Sequence, residues 1–291
     1  ADENEFVESL PDTLQRRLKS IEQPFDEDAF FHMWGKIARA YDGRDDRLWI
    51  GLAPAGPEWC SESLLRRVSQ VAREHDAHVQ IHLAETRYQL QYGWKTWGCT
   101  PVAYLASIGF LGRKVSCAHS IWTTTEDWRL LSETGTTVVH NPASNLLLAC
   151  GIAPVTEMLA AGVTVGLGLD ATGFSDAMDF LPDLRLGWLL QRRSGVSMPR
   201  PSAGDMLDIA TSQGARSLSL GDSLGSLESG KRADLLLVDS HRLYDFPYAR
   251  SHPPVEDVLL RRGMGSDIEG VMIQGKWLIW DHRYLLGDES G

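Results

Sequence analysis

Cysteines are scarce in this sequence, and their spacing excludes the usual cysteine-based sites. The 291 residues contain four cysteines, with no Cys-x-x-Cys pair among them. Disulfide scaffolds and thiolate zinc sites both depend on cysteines that are numerous or closely spaced. We therefore expect reduced thiols and no disulfide framework, whereas zinc held by imidazole and carboxylate remains open. The four cysteines are Cys60, Cys99, Cys117 and Cys150.

The sequence also lacks long apolar runs and an excess of basic residues. No apolar run approaches the roughly 20 residues that a membrane-spanning helix requires. The first residues are acidic, whereas a secretory signal begins basic and then becomes apolar, so we predict a cytoplasmic protein. The net charge of −11, from 39 acidic and 28 basic residues, disfavours phosphate backbones and anionic membranes. We expect neither nucleic acid nor a membrane as a partner.

Strand and helix patterns alternate through most of the chain. Two helical patterns come first, and after them apolar runs typical of buried strands alternate with amphipathic runs typical of helices. Such alternation is characteristic of parallel βα units, in which a helix crosses between neighbouring strands. The predicted strands are 47–54, 79–82, 114–119, 136–140 and 163–169, separated by one helix each at 61–74, 101–109, 125–133 and 155–161, with later helices at 181–190 and 202–210.

The pattern changes after Gly221. Short strand-like runs follow, and Gln274-Gly275 forms a two-residue connection typical of a tight hairpin turn. We therefore predict an α/β part at 1–220 and a small antiparallel β part at 221–291. The predicted strands of the second part are 233–239, 258–261, 268–273 and 276–280.

Three predicted strands end in groups that can bind a metal ion or move a proton. They carry His82, His119 and Asp170, and in closed βα barrels such strand ends form the active site. A lone histidine at a strand end is more often structural, but three candidate groups at equivalent positions favour a shared site. Imidazole and carboxylate suit a catalytic divalent ion with one position open for water. Asp170 could also take a proton from that water, and His140 ends a further strand.

Glu85 lies just beyond the strand that ends at His82. A loop glutamate is usually solvated, which is the plain alternative here. Its position close to a candidate ligand instead suits a group that transfers protons to and from a substrate. Gly166 and Gly168, on one face of the last predicted strand, would leave room for a substrate cavity.

Polar and aromatic residues nearby have more ordinary alternatives. The loop after His140 contains Asn141, Ser144 and Asn145, which could contact substrate or hold the loop by hydrogen bonds, and the sequence favours neither role. Two aromatic residues could stack on a flat ring, but core packing is the expected role of each. They are Trp94 and Trp97.

Five motifs, in order along the chain, resemble the amidohydrolase superfamily. Within it, the likeness is to the branch of cytosine, guanine and S-adenosylhomocysteine deaminases and triazine chlorohydrolases. The resemblance implies a (β/α)8 TIM-type barrel with a β-sandwich, and a hydrolase that displaces an amino group, or in some members a halide, from a nitrogen heterocycle. The motifs are His-Leu-Ala-Glu at 82–85, Ala-His-Ser at 118–120, His-Asn-Pro-Ala-Ser-Asn at 140–145, Gly-Leu-Asp at 168–170 and Gly-Lys-Arg-Ala-Asp-Leu at 230–235.

The resemblance implies a role for each residue that matches a family motif. His82 would be a metal ligand, Glu85 the proton shuttle, and His119 the group that polarises the water or the substrate. Asp170 would be both a metal ligand and a base. The segment 47–54 contains no lysine for the carbamylated bridge of two-metal members. The resemblance therefore implies one divalent ion, zinc in the first place and iron as the alternative, with a small heterocyclic substrate as partner and a homodimer left open.

One family motif is absent from this sequence. Family members carry a His-x-His pair at the end of the first barrel strand, and none occurs in these 291 residues. By the resemblance, 47–54 matches the fourth strand, so we expect barrel strands four to eight here and the other ligands before Ala1. The leading hypothesis is a metal-dependent deaminase of a purine, pyrimidine or pterin type of ring. The alternatives are dechlorination of a triazine-like ring and a truncated, non-catalytic paralogue.

Overall fold

Four parallel strands form the first of two sheets in the computed structural model. The strands follow one another in chain order across the sheet, which confirms the predicted parallel βα arrangement. The strands are β1 (Val79–Leu83), β2 (Val115–His119), β3 (Thr137–His140) and β4 (Val165–Leu167). The structure describes residues 8, 10–21, 26–171, 178–192, 200–245 and 253–285.

The predicted strand at 47–54 is reduced to a single bridge in the structure. Leu52 pairs in parallel with Val79 at the outer edge of β1, and its N–H donates to His78 O at 2.9 Å. Leu52 is 2% exposed, whereas Leu48 is 45% exposed, so the apolar run meets the core at one residue rather than along its length. The prediction of a full strand was therefore wrong, although the segment does occupy the edge beside β1.

Hydroxyl side chains start several of the helices. Ser61, Thr100 and Ser202 each accept a hydrogen bond from a backbone N–H in the first helical turn, as predicted for Thr100. Among the described residues, no helix combines the length and apolarity that crossing a membrane requires. In chain order the helices are α1 (Asp12–Ile21), α2 (Glu27–Tyr41), α3 (Glu62–Glu74), α4 (Arg87–Thr96), α5 (Pro101–Ser107), α6 (Thr125–Thr134), α7 (Pro142–Leu147), α8 (Val155–Ala160), α9 (Phe180–Leu190), α10 (Ala203–Ala210), α11 (Ser212–Ser217), α12 (Ser240–Tyr244) and α13 (Val255–Arg262).

Two crossovers contain two helices where the sequence predicted one. β1 is followed by α4 and α5, and β3 is followed by α7 and α8. α4 begins at a capping box, in which the side chains of Thr86 and Gln89 each accept a hydrogen bond from the backbone N–H of the other residue. Most residues of α4 are exposed, so a cap rather than an apolar period marks the helix. A prediction based on apolar spacing therefore missed it.

Gly166 and Gly168 permit close packing and do not line a cavity. A Cβ at Gly166 would lie 2.7 Å from Ser217 Oγ, on α11. A Cβ at Gly168 would lie 2.5 Å from Asn141 Oδ1. Neither distance is compatible with ordinary packing, so the prediction of a substrate cavity at these glycines was wrong. Gly168 instead brings the end of β4 against the residue that follows β3.

The two tryptophans of the α4 region have different environments. Trp97 stacks on Tyr104, with ring centroids 3.9 Å apart and planes at 5°. It packs against the hydrophobic core, which confirms its predicted role. Trp94 is 56% exposed, so the prediction of core packing was wrong for this residue.

An antiparallel sheet forms in the last part of the chain. Its strands pair in chain order, and three of them were predicted. Gln274 and Gly275 connect its second and third strands with φ values of 51° and 72°, which are the left-handed values that a tight two-residue hairpin turn requires. The strands are β5 (Leu235–Val238), β6 (Ile268–Ile273), β7 (Lys276–Trp280) and β8 (Arg283–Tyr284).

The predicted strand at 258–261 lies within helix α13. A short apolar run does not by itself distinguish a strand from a buried helix, and here the prediction was wrong. Arg185, on α9, fixes the end of this helix, because its guanidinium donates to Leu260 O at 3.0 Å and to Gly263 O at 2.5 Å. A cation at the last carbonyls also suits the negative end of the helix dipole.

His78, which precedes β1, gives the fold a pH dependence. Its ring nitrogens lie 3.0 Å from Ser219 Oγ and 2.9 Å from Ser116 Oγ. Burial, and to a smaller extent Lys114, lowers the pKa of His78 from 6.5 to about 4. Between these two values the unfolded chain binds more protons than the folded chain, so the free energy of unfolding falls as the pH falls through this window.

We expect His78→Gln to reduce this pH dependence, because glutamine can bond the two serines but takes up no proton. The reduction should reach at most about 3 kcal/mol between neutral pH and about pH 4. Urea denaturation at several pH values measures it. His32→Gln, at an exposed histidine of α2, controls for the loss of an imidazole. An unaltered pH dependence in His78→Gln would contradict the assignment.

Candidate functional site

The ends of β1, β2 and β4 bring four predicted site residues together. The rings of His82 and His119 stack, with centroids 5.4 Å apart and planes at 16°. His119 Nε2 lies 3.9 Å from Glu85 Oε2 and 3.9 Å from Asp170 Oδ2. The His119 side chain is 2% exposed, whereas those of Glu85 and Asp170 are 13% and 20% exposed. Two imidazoles and two carboxylates therefore share one partly open site.

The backbone leaves these strands through left-handed residues. Positive φ values of 47°, 68°, 49° and 64° occur at Ala84, His119, Ser120 and Asp170. Residues other than glycine rarely adopt this region, and each costs about 1–3 kcal/mol unless its surroundings hold it. One stabilising contact is the hydrogen bond from Ser120 N–H to Leu83 O at 2.9 Å. The turns change the chain direction at the point where the site side chains meet.

His82 has one ring nitrogen bonded to the backbone. Nδ1 lies 2.7 Å from Ala55 O, so Nδ1 carries the proton and donates. Nε2 is then the ring nitrogen left for a metal ion, which is the usual arrangement of a metal-binding imidazole. Ala55 belongs to the loop that follows Leu52. A segment without a predicted role therefore orients a predicted ligand.

Polar residues after β3 hold two of the site side chains. His119 Nδ1 donates to Asn145 Oδ1 at 2.8 Å, and Ser144 Oγ donates to Asp170 Oδ2 at 2.5 Å. Asn141 Nδ2 lies 3.4 Å from His119 Nδ1. Of the two roles left open, the structure supports hydrogen bonding that orients the site for Ser144 and Asn145. Asn141 Nδ2 and His119 Nδ1 are both donors, so their approach is not a hydrogen bond. Contact of Asn141, Ser144 and Asn145 with a substrate stays a prediction.

Glu85 is held by two residues that the sequence did not indicate. Its backbone N–H donates to Gln89 Oε1 at 2.5 Å, and Cys150 Sγ donates to its Oε1 at 3.4 Å. Burial raises the pKa of Cys150 to about 11, and the hydrogen bond to Glu85 and the charges of Glu85 and Asp170 contribute further. The thiol therefore stays protonated and donates. Glu85 Oε2 is left facing His119.

His140 ends β3 in a fully enclosed position. It is 1% exposed, and neither ring nitrogen has a hydrogen-bond partner in the described part of the chain. Burial, followed by the neighbouring charge of His119, lowers the pKa of His140 to about 4. The ring is therefore neutral near pH 7. The structure brings His140 close to the site, as its strand position predicted.

Glu58 is a further carboxylate at the site, and it belongs to none of the motifs found in the sequence. Burial raises its pKa, while His82 and Glu85 lie close enough to shift it in opposite directions. The adjacent Trp59 is 57% exposed, with its ring 6.4 Å from that of His82. Glu58 lies four residues after the predicted strand 47–54, and the same criterion, a carboxylate just beyond a strand, identified Glu85.

The described residues offer part of a metal shell rather than a complete one. His82 presents its Nε2 and Asp170 a carboxylate, and both groups suit a divalent ion such as zinc. Within the described ranges, no group of three or more His, Cys, Asp or Glu side chains is arranged to hold an ion. A catalytic zinc site usually has three protein ligands. The chemistry of these two donors therefore fits a metal, but their number does not suffice.

Comparisons with known sequences identify a family and a difference in length. The sequence model described as the amidohydrolase family matches residues 33–278. A 5-methylthioadenosine/S-adenosylhomocysteine deaminase from Thermococcus onnurineus (strain NA1) is 34% identical over 249 residues. This similarity covers 85% of the present chain but 57% of the relative, so the chain spans little more than half of the relative's length.

Solved structures with zinc are similar to this fold. An adenosine deaminase from Xanthomonas campestris, with bound zinc, has a TM-score of 0.82 and 29% identity, over 90% of this chain and 58% of that one. An atrazine chlorohydrolase from Arthrobacter aurescens, complexed with zinc, has a TM-score of 0.80 and 27% identity, over 90% of this chain and 58% of that one. These likenesses support a divalent metal and an α/β architecture.

Asn145→Ala tests the hydrogen bond that holds His119. The substitution leaves His119 Nδ1 buried without its acceptor, so we expect the free energy of unfolding to fall by about 1–3 kcal/mol. Urea denaturation of the metal-free chain measures this loss. Gln70→Ala is the control, since it removes an exposed amide that bonds Glu74 on α3. A loss no larger than that of the control would show that His119 does not depend on Asn145.

Proposed function

Since this chain belongs to the amidohydrolase family, we propose that it carries catalytic groups of a hydrolase that releases ammonia from an aminated nitrogen heterocycle. One observation carries the proposal: His119 Nε2 lies 3.9 Å from both Glu85 Oε2 and Asp170 Oδ2 at the ends of parallel strands. The similar proteins from Thermococcus and Xanthomonas are both named as deaminases. Purine, pyrimidine and pterin types of ring are the substrates to be tested.

The proposal includes the architecture around the site. The four parallel strands would be strands five to eight of a (β/α)8 barrel, with the segment around Leu52 in the place of strand four. Residues 1–220 would belong to the barrel and residues 221–291 to a β-sandwich portion. The TM-scores of 0.82 and 0.80 to related structures support this assignment.

The side chains have different tasks in the proposed reaction. Asp170, held by Ser144, takes a proton from the water that attacks the ring carbon bearing the amino group. Glu85 delivers a proton to the neighbouring ring nitrogen. The proton held by Asp170 then passes to the amino group, Glu85 takes the proton of the added hydroxyl as the carbonyl forms, and ammonia leaves. His119 polarises the water or the substrate from its Nε2. Proton transfer by positioned groups of this kind typically contributes about 100- to 10,000-fold to the rate.

The proposal also includes one divalent ion. His82 Nε2 and the Asp170 carboxylate would hold it, and the zinc in the two similar structures makes zinc the first choice, with iron as the alternative. Such an ion, when bound, lowers the pKa of water to about 7. These 291 residues contain no His-x-His pair, so the proposal requires further ligands from outside them.

Displacement of a halide from a triazine ring is a second candidate. The similarity to the atrazine chlorohydrolase favours it. The site residues suit both reactions, because each needs a deprotonated water and a protonated ring nitrogen.

Ammonia release from a panel of aminated purines, pyrimidines, pterins and triazines tests the leading proposal. We expect the full-length protein with zinc to release ammonia, and Glu85→Gln to lower kcat by about 100-fold or more. Glu74→Gln, at an exposed carboxylate of α3, is the matched control. No ammonia from any compound, together with equal behaviour of wild type and Glu85→Gln, would refute the proposal. Chloride released from chlorotriazines instead would support the second candidate.

The metal content of the 291-residue chain tests the assignment of ligands. Two donors hold zinc weakly, so after dialysis we expect well under one zinc ion per chain by elemental analysis. The full-length protein should keep its metal, and His82→Ala should lose it. Full retention of zinc by the 291-residue chain would contradict the proposed ligand set.

A further inference from the structure

The loop after Leu52 is fixed to the candidate site. Ala55 O accepts hydrogen bonds from both His82 Nδ1 at 2.7 Å and His82 N–H at 3.2 Å. Leu52 pairs in parallel with β1, so the loop that follows Leu52 emerges at the carboxyl ends of the strands, where the other site residues lie. The loop is therefore held by hydrogen bonds from His82, which is a proposed metal ligand.

Glu58, in this loop, carries a buried and unbonded carboxylate. Both of its carboxylate oxygens are enclosed, and neither has a hydrogen-bond partner among the residues that the structure describes. Burial of a carboxylate without donors is costly, and buried polar groups in folded proteins are almost always bonded. A group of this kind beside a candidate active site indicates a donor that arrives from outside the chain.

The surroundings of Glu58 are shaped to keep the carboxylate in place. A Cβ at Gly56 would lie 3.1 Å from Glu58 Oε1 and 3.0 Å from a ring carbon of Trp59, so the loop closes tightly around a glycine. The side chain of Gln89 and the backbone N–H of Glu58 lie beside the carboxylate and lower its pKa, but neither forms a hydrogen bond of normal geometry with it. The loop therefore positions the carboxylate of Glu58 but gives its oxygens no hydrogen bond of normal geometry.

We propose that Glu58 binds a hydrogen-bond donor of the substrate, separate from the amino group that leaves. The proposal rests on the proposed function, and it names a contact that distinguishes between substrates. An ionised carboxylate has acceptor sites only, so its ligand must present an N–H or O–H group. Two sources fit this chemistry: a ring N–H of a free base and the hydroxyls of an attached sugar. The exposed ring of Trp59 gives a flat surface beside His82 on which the heterocycle can stack.

Paired substrates separate the two sources. Adenosine and 2′,3′-dideoxyadenosine differ in sugar hydroxyls, and adenine and 9-methyladenine differ in one ring N–H, while all four keep the amino group that leaves. We expect Glu58→Gln in the full-length zinc enzyme to lower kcat/KM about 10-fold for the donor-bearing member of one pair, and Glu58→Ala to lower it up to about 100-fold. The other member of that pair should change by less than about threefold.

Each outcome of this comparison decides the proposal. Selective loss in the first pair assigns the donor to the sugar, and selective loss in the second assigns it to the ring. An equal loss on all four compounds, or no loss on any, overturns the contact. Glu62→Gln, at an exposed glutamate bonded to Arg66, should retain wild-type kinetics. If the wild type releases no ammonia, the proposed function fails. Calorimetric binding of the same four compounds then tests the role of Glu58. If none of the four binds, the proposed contact with Glu58 is overturned.

The melting temperature without substrate separates binding from a structural role. Glu58→Gln replaces an unbonded buried charge by a neutral group of the same shape, so the melting temperature should stay the same or rise. A fall of several degrees would show that Glu58 stabilises the fold, and would overturn the inference.

Discussion

Parallel pairing of β1 to β4 is the constraint on which the site depends. The register places Leu83 opposite His119 and His140 opposite Leu167, so neighbouring strands end nearly level with one another. Each crossover brings the next strand into the same direction, so the carboxyl ends of all four strands lie together and groups far apart in the sequence meet there. The imidazole of His119 can therefore face two carboxylates from different strands. A shift of register by one residue would turn these side chains to the opposite face.

The hydrogen bonds around His119 follow a common arrangement. Its Nδ1 donates to Asn145, and each of the two carboxylates that face its Nε2 accepts a hydrogen bond from a neutral donor. These donors are Cys150 for Glu85 and Ser144 for Asp170. Glu85 accepts through Oε1 and turns Oε2 toward His119, whereas Asp170 Oδ2 both accepts from Ser144 and lies nearest His119. The site is thus held by groups whose own charge does not change near neutral pH.

The sequence predicted the parts of the structure that depend on local pattern. His82, His119 and Asp170 follow apolar strand runs, and the end of such a run fixes where a side chain emerges. The predicted strand at 258–261 was wrong because three apolar residues fit a buried helix equally well. Glu58 and Cys150 were missed for another reason. Their positions depend on the conformation of loops, which is determined by tertiary contacts such as the hydrogen bond from His82 to Ala55. Such contacts produce no periodic pattern in the sequence.

The left-handed residues at the strand ends affect any attempt to make this protein more heat-resistant. Glycine at Ala84 or Ser120 would remove the steric cost of a Cβ at φ 47° or 49°. A screen for thermal tolerance would therefore tend to enrich glycine at these positions. The same replacement would widen the backbone angles available beside His82 and His119, and the side chains of the candidate site would lose their fixed separation. Selection for durability and selection for turnover would favour different residues at the same two positions.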